Sequence, residues 1–235
     1  MPNWVYNGLT VEGNPEQVKK MMAQLNKPFK QLQDSWNIAT GQMEKKNVLY
    51  PEPIFAFHNI YNHLEAGITD EQYLQQPDHS LPIQEAMMFR GNHWYDFNVR
   101  EWGTKWDVAV SSDESYPDTN MEDSENGENH VVHYNFNTAW SPPFPAISKL
   151  SAQYPTLLFT LSYEEETGWG GESEFLNGKE ISESSYGWMC RECEHTEDET
   201  PYCEDCEFDM CPKCGYGEPD EDLVAKCETH KDKEE

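Results

Sequence analysis

Cysteine is missing from the first 189 residues of this 235-residue chain, and cations are scarce throughout. Lysine and arginine number 16 against 44 aspartates and glutamates, a formal charge of -28. That excess excludes ordinary binding to a nucleic-acid backbone or an anionic membrane, since each requires a cationic face. No apolar run approaches the ~18 residues that a membrane-spanning helix needs. The opening Met1-Pro2-Asn3-Trp4 has neither the basic start nor the apolar stretch of a secretory leader. The expected location is the cytosol, where disulfides are rare. Apolar residues are also thin, 37% against the usual range of about 45–50%. Aromatics are not thin. At 13% they argue for a folded core carrying polar loops and tails.

The order of local signals predicts an α+β domain. Trp4 to Glu12 reads as a strand, with Val5, Leu9 and Val11 among its apolar residues. Asn14-Pro15-Glu16-Gln17 is a helix start, with Asn14 as cap and Pro15 in the first turn. Val18, Met21, Met22 and Leu25 continue it as one apolar face. Residues 29–100, broken by Pro51, Pro53, Pro77 and Pro82, read as an insertion, with Ile54–Leu64 and Ile83–Arg90 as its candidate helices. Trp106 to Ser112 is expected to be a strand. Asp113 to Asn129, with no basic residue, is expected to be a loop. Val131–Trp140 reads as a strand, Ile147, Leu150 and Tyr154 mark a short helix, and Leu157–Tyr163 is a strand. Asn177-Gly178 then joins Glu172–Leu176 to Glu180–Ser182 as a hairpin. Strand-helix-strand-strand-helix-strand is the ferredoxin-like order, here expected over residues 1–185.

Four separated motifs make the reading more specific. Met1-Pro2-Asn3-Trp4 with Asn7 and Leu9-Thr10-Val11, then Trp102-Gly103-Thr104-Lys105-Trp106-Asp107, then Thr138-Ala139-Trp140-Ser141-Pro142-Pro143 resemble the YubB-like family. These are phage and plasmid proteins with a ferredoxin-like domain. The resemblance runs discontinuously over about residues 1–183. It implies a phage, prophage or plasmid origin and that chain path. It implies no iron–sulfur cluster and offers no catalytic residues to transfer.

All the cysteines fall in the last stretch, residues 186–235, expected to be a separate acidic finger. Cys190/Cys193, Cys203/Cys206, Cys211/Cys214 and Cys227/His230 form Cys-x-x-(Cys/His) pairs. Such pairs let both donors of a turn face one metal, and together they suffice for two tetrahedral zinc sites. In Cys211-Pro212-Lys213-Cys214-Gly215 the proline fixes φ and the glycine is free to adopt positive φ. A short, acid-rich segment cannot build a sufficient core alone and usually needs disulfides or metal. Saturated sites point to structural rather than catalytic zinc. The run from Tyr202 to Cys214 also resembles the ZZ-type zinc finger. That resemblance implies interleaved pairing, with Cys190, Cys193, Cys211 and Cys214 on one ion and Cys203, Cys206, Cys227 and His230 on the other. Sequential pairing stays open, and His195 is a rival ligand.

Elsewhere the signals are weaker. His58 and His63 are wrongly spaced for a helical metal pair, and His130 and His133 fall on opposite faces of a strand. Trp4, Trp102, Trp106, Trp140 and Trp169 are candidates for a ligand pocket, with Lys105 between Trp102 and Trp106 as an anion contact. No nucleophile elbow, P-loop or dinucleotide fingerprint is present. The expected function is a non-enzymatic zinc-binding interaction protein that docks on a host protein in the bacterial cytosol, without nucleic acid or membrane as partner. One rival is an acidic DNA mimic that inhibits a host nuclease or CRISPR-type complex. Its surfaces would be residues 113–129, Glu164-Glu165-Glu166 and the finger. The other rival is an enzyme with a tryptophan-lined pocket.

Overall fold

A computed structural model describes residues 3–75, 91–109, 119–125 and 129–187, and the main-chain course of residues 126, 188–189, 196–197, 202–203 and 208–209. The first strand, β1 (Trp4–Gly13), alternates strictly. Val5, Asn7, Leu9 and Val11 point one way and are buried, while Tyr6, Gly8, Thr10 and Glu12 point the other. Helix α1 (Pro15–Leu25) starts where the sequence predicts, with the Asn14 carboxamide oxygen accepting from the N–H groups of Glu16 (3.0 Å) and Gln17 (3.3 Å). It buries Val18, Met21 and Leu25 against the sheet.

The chain then leaves the sheet. A long hairpin, β2 (Phe29–Asn37) with β3 (Gln42–Tyr50), is followed by a single 3₁₀ turn at Phe57–Asn59, the short α2 (Asp70–Tyr73) and α3 (Trp94–Glu101). It returns as β4 (Asn120–Asn126) and β5 (Asn129–Ala139), α4 (Phe144–Gln153), β6 (Leu158–Glu165), β7 (Gly170–Leu176) and β8 (Lys179–Tyr186). These strands form one six-stranded sheet in the order β4-β5-β1-β6-β7-β8, every neighbouring pair antiparallel. Counting only β1, α1, β4, β5, α4 and β6, the path is βαββαβ, and the strand order is second, third, first, fourth. That is the ferredoxin-like arrangement, extended at one edge by the β7–β8 hairpin. Asn177 (φ 53°) and Gly178 (φ 74°) make the turn between β7 and β8, as the Asn-Gly signal requires.

Three expectations need correction. Residues 107–109 carry no strand; the second strand of the path is β4, inside the stretch read as an acidic loop. Its partner β5 satisfies its main chain, so an acid-rich sequence needs only one neighbour to be a strand. Ile54–Leu64 is not a helix beyond the turn at Phe57–Asn59. The insertion read over 29–100 extends to β4 and supplies core, with Phe55 and Phe57 packing on Tyr134 and Phe136 of β5 and Trp102, Phe97 and Tyr73 following in turn from Phe57. Each large side chain so buried contributes roughly 1.5–3 kcal/mol. The candidate helix Ile83–Arg90 lies outside the described residues.

Helices α1 and α4 and the insertion all pack on the same face of the sheet. No helix among the described residues is long and apolar enough to cross a membrane.

Candidate functional site

Two of the sequence motifs meet at one end of the sheet. Helix α3 ends at Trp102, which is buried against Phe57 and Phe97 and donates its indole N–H to the carbonyl of Tyr61 (2.8 Å). Gly103 follows at φ 84°, where a Cβ would stand 2.5 Å from Pro145 and 3.1 Å from the carbonyl of Pro142. Thr104 locks onto the main chain of Ala139, and the Ser141 hydroxyl donates to the carbonyl of Gly103. The Thr138 hydroxyl donates to the carbonyl of Ser141 (2.8 Å) and accepts from the Asn7 carboxamide (2.9 Å). Thus Asn7 and the segments 102–107 and 138–143 are one hydrogen-bonded unit.

Asp107 closes the unit on the insertion side. Its carboxylate accepts from the N–H groups of Phe57 (2.8 Å), His58 (2.9 Å), Val108 (2.7 Å) and Ala109 (3.2 Å). Burial pushes this carboxyl above its ordinary range, and those hydrogen bonds oppose the push.

The unit fixes Lys105. Its ammonium sits 4.4 Å from the ring centre of Trp106 and 4.7 Å from that of Trp140. Trp4 lies beside Trp106 at 6.0 Å, and Tyr95 meets Trp140 edge-on at 6.1 Å. Trp4, Trp106 and Trp140 are therefore neighbours, but of the three only Trp106 lines the cleft described below. Trp102 does not join them, because it is core, and Trp169 stands apart beside Tyr163. Lys105, which lies between Trp102 and Trp106 in sequence, contacts the rings of Trp106 and Trp140.

Trp106 also forms one wall of a cleft of about 340 Å³, with Trp94 and Met43 as other walls. Its polar lining is a relay missed by sequence reasoning. Gln31 donates to the Tyr73 hydroxyl (3.2 Å), which donates to Asn98 (2.8 Å), which donates to the carbonyl of Lys105 (2.8 Å). Burial, then Asp107, push the Tyr73 hydroxyl well above its ordinary range, so it stays protonated and acts as a hydrogen-bonding group. These partners lie far apart in sequence, and no short motif announces them.

The other face of the sheet is polar. Glu122 on β4, Glu12 on β1, Glu164 on β6, and Glu172 and Glu174 on β7 all point to it by register. None of β1, β4, β5, β6 or β7 contains a lysine or arginine. A shallow trough of about 480 Å³ crosses this face over Gly8, between Tyr6, Asn135, Ser162 and Tyr186.

His130 and His133 do lie on opposite faces. His130 is buried near Asp123 (3.3 Å), and His133 contacts the Thr10 hydroxyl (2.9 Å) and Asn135 (3.0 Å) on the polar side. His63 pairs with Asp70 (2.9 Å). Among the described residues no group of His, Cys, Asp and Glu is arranged to hold a metal. The expected zinc ligands Cys190, Cys193, Cys206, Cys211, Cys214, Cys227 and His230, and the rival His195, lie outside the described residues, as does the side chain of Cys203. What is described there is two short antiparallel ribbons. In one, β9 (Trp188–Met189) pairs with β10 (Thr196–Glu197); in the other, β11 (Tyr202–Cys203) pairs with β12 (Phe208–Asp209).

The chain is similar to known proteins in two comparisons. A family model, described as a ferredoxin-like domain in Api92-like protein, matches residues 117–210. A solved structure, the crystal structure of a protein api92 from Yersinia pseudotuberculosis, aligns at 10% identity with a TM-score of 0.43, over 80% of this chain and 99% of that one. No curated protein matches.

Proposed function

We propose that the chain is a non-enzymatic interaction protein of phage or plasmid origin, in which a ferredoxin-like domain and a two-zinc acidic finger dock on a basic surface of a host protein in the bacterial cytosol. The observation that carries this reading is the open sheet face, where glutamates from four strands lie in one plane with no lysine or arginine on those strands. Such a field speeds encounter with a basic partner and suppresses acidic ones. The resemblance of the Asn7, Trp102–Asp107 and Thr138–Pro143 motifs to the YubB-like family supports the mobile-element origin.

The finger supports docking by a different route. Its donors, Cys190, Cys193, Cys203, Cys206, Cys211, Cys214, Cys227 and His230, suit two structural zinc ions by number and chemistry. In sequence, the ribbons β9–β10 and β11–β12 bracket the first two cysteine pairs. Zinc supplies roughly 10–16 kcal/mol of apparent binding energy in small finger peptides, enough to order so acidic a segment into a rigid contact piece.

A second reading has its own support. Glu172 and Glu174 alternate along β7, with Glu164 of β6 diagonal to Glu172, and this group of carboxylates offers an anionic surface to a groove that normally holds DNA. Affinity capture from the bacterial host tests both readings, with the wild-type chain beside a Glu122→Lys, Glu164→Lys, Glu172→Lys variant. The expected result is a host protein retained by the wild type and lost from the variant and in high salt. Competition by double-stranded DNA marks the mimic. Capture indifferent to both salt and charge reversal overturns the proposal.

A further inference from the structure

Each of the cations Lys19, Arg100 and Lys149 is paired with a carboxylate, Lys19 with Glu125 and the other two with Glu101. Lys105 is set apart by its surroundings and not by lacking such a pair, since Lys20 and Lys27 also have none among the described residues. Among the described residues no carboxylate lies within ion-pair distance of Lys105; the groups facing its ammonium are the indoles of Trp106 and Trp140. Both rings are well exposed, at 39% and 44%. Trp140 also sits at φ 72°, a left-handed conformation that a bulky residue rarely adopts and that persists only where the surroundings enforce it. Here the enforcement is explicit: its N–H donates to the carbonyl of Asn3 (2.9 Å), and the neighbouring residues Ala139 and Ser141 are tied to Thr104 and Gly103. These bonds thus hold a strained, half-exposed indole where it and the indole of Trp106 share one ammonium.

We infer that Trp106 and Trp140 form a cage for the arginine or lysine side chain of a basic partner segment, filled in the free chain by the protein's own Lys105. Two neighbouring indoles attract a cation and repel an anion at their faces, which carry the negative part of the ring quadrupole. An incoming guanidinium stacks on them more completely than an ammonium does. Charge around the cage agrees. The N–H of Glu166 donates to the carbonyl of Trp4 (3.1 Å), which sets Glu166 beside the Trp4–Trp106 pair, with Glu164 on the open sheet face, whereas Glu165 is buried and bonded to Thr167. Tyr6, two residues along β1 from Trp4, already belongs to the acidic sheet face. The cage therefore continues that face and gives it an aromatic anchor of the kind that dominates interface energetics. The inference rests on the docking reading for the identity of its occupant.

Lys105 acts as a tethered competitor, so removing it should strengthen binding of an outside cation. The probe is N-acetyl-arginine amide, titrated into the full chain while the indole N–H signals of Trp106 and Trp140 are followed by heteronuclear NMR. N-acetyl-leucine amide and acetate are the neutral and anionic controls. The expected result is saturable movement of both signals with the arginine probe alone, and an affinity about two- to fivefold higher in Lys105→Ala. Lys105→Gln, which keeps a polar stem without the charge, should shift the affinity the same way and serves if the alanine variant is poorly folded. Affinity that does not rise in either variant, or indoles that ignore the arginine probe, overturns the inference. So does a response to acetate that vanishes with Lys105, which would make this an anion site. The titration involves neither the partner nor the finger, so its failure leaves the docking reading standing, and failure of host capture leaves the cage standing.

Discussion

The hydroxyl of Thr104 both donates to the carbonyl of Ala139 and accepts from its N–H, each at 3.1 Å. One side chain thereby satisfies both polar groups of a main-chain residue at the end of β5, and it does so fully buried. Thr104→Val keeps the shape and removes both bonds, leaving a buried N–H and C=O unpaired. The expected loss is about 1–3 kcal/mol in urea unfolding, with Thr104→Ser close to the wild type. Equal stability of the valine and serine variants would mean that the pair contributes nothing.

Gly103 and Gly41 separate backbone strain from crowding. Both have positive φ, 84° and 66°. An added Cβ meets Pro145 and Pro142 at Gly103 and nothing within 4 Å at Gly41. Gly41→Ala should cost about 1 kcal/mol from conformation alone. Gly103→Ala should cost clearly more, because the clash is with rigid rings and main chain, and it should also disturb the indole signals of Trp106 and Trp140. Thermal unfolding of the two variants side by side checks the order.

His58 makes stability depend on pH. It stacks on Phe29 at 4.1 Å, and burial, then the charge of His63, hold its pKa down to about 4, with Asp70 pulling the other way. The unfolded chain, near 6.5, takes up its proton first. The contribution is therefore whole above about pH 6.5 and is lost as pH falls toward 4, to a total on the order of 3 kcal/mol. His93, also lowered by burial, slopes the same way. His58→Phe should flatten the fall in urea midpoint between pH 6.5 and 5 without abolishing it. An unchanged slope would show that His58 titrates normally.

The finger predicts a metal dependence confined to one end of the chain. Elemental analysis of the purified protein should return about two zinc per chain. Chelation should lose the metal and the order of residues 186–235, while the six-stranded sheet keeps its far-ultraviolet signal. Cys203→Ser with Cys206→Ser should lose host capture and about one zinc with the N-terminal domain still folded. Metal-free protein with an ordered finger would sink the zinc reading.

Much of the core path was legible because its signals are local. Asn14 and Pro15 start α1, alternation over Val131–Trp140 marks β5, and Asn177-Gly178 fixes the last hairpin. β4 was not legible, since Glu122, Asp123 and Glu125 look like a solvated loop and only the ladder to β5 makes them a strand. The hairpin β2–β3 was hidden in the same way by its lysines, glutamines and glutamate. For the site, the sequence named Trp4, Trp106, Trp140 and Lys105 but did not foretell that Lys105 packs on Trp140. Residues 105 and 140 meet through the Thr104–Ala139 and Ser141–Gly103 bonds, and spacing along the chain carries no trace of that contact.

The register of β1 has a consequence for synthesis. Val5 faces Thr138 on one side and Glu165 on the other, so the central strand leaves the ribosome with neither neighbour yet made. At about 5–20 residues per second it waits several seconds or more for the first and longer for the second. The sheet can assemble only late, after most of the domain has been translated, and a nascent chain truncated before residue 129 would hold its central strand without a mate.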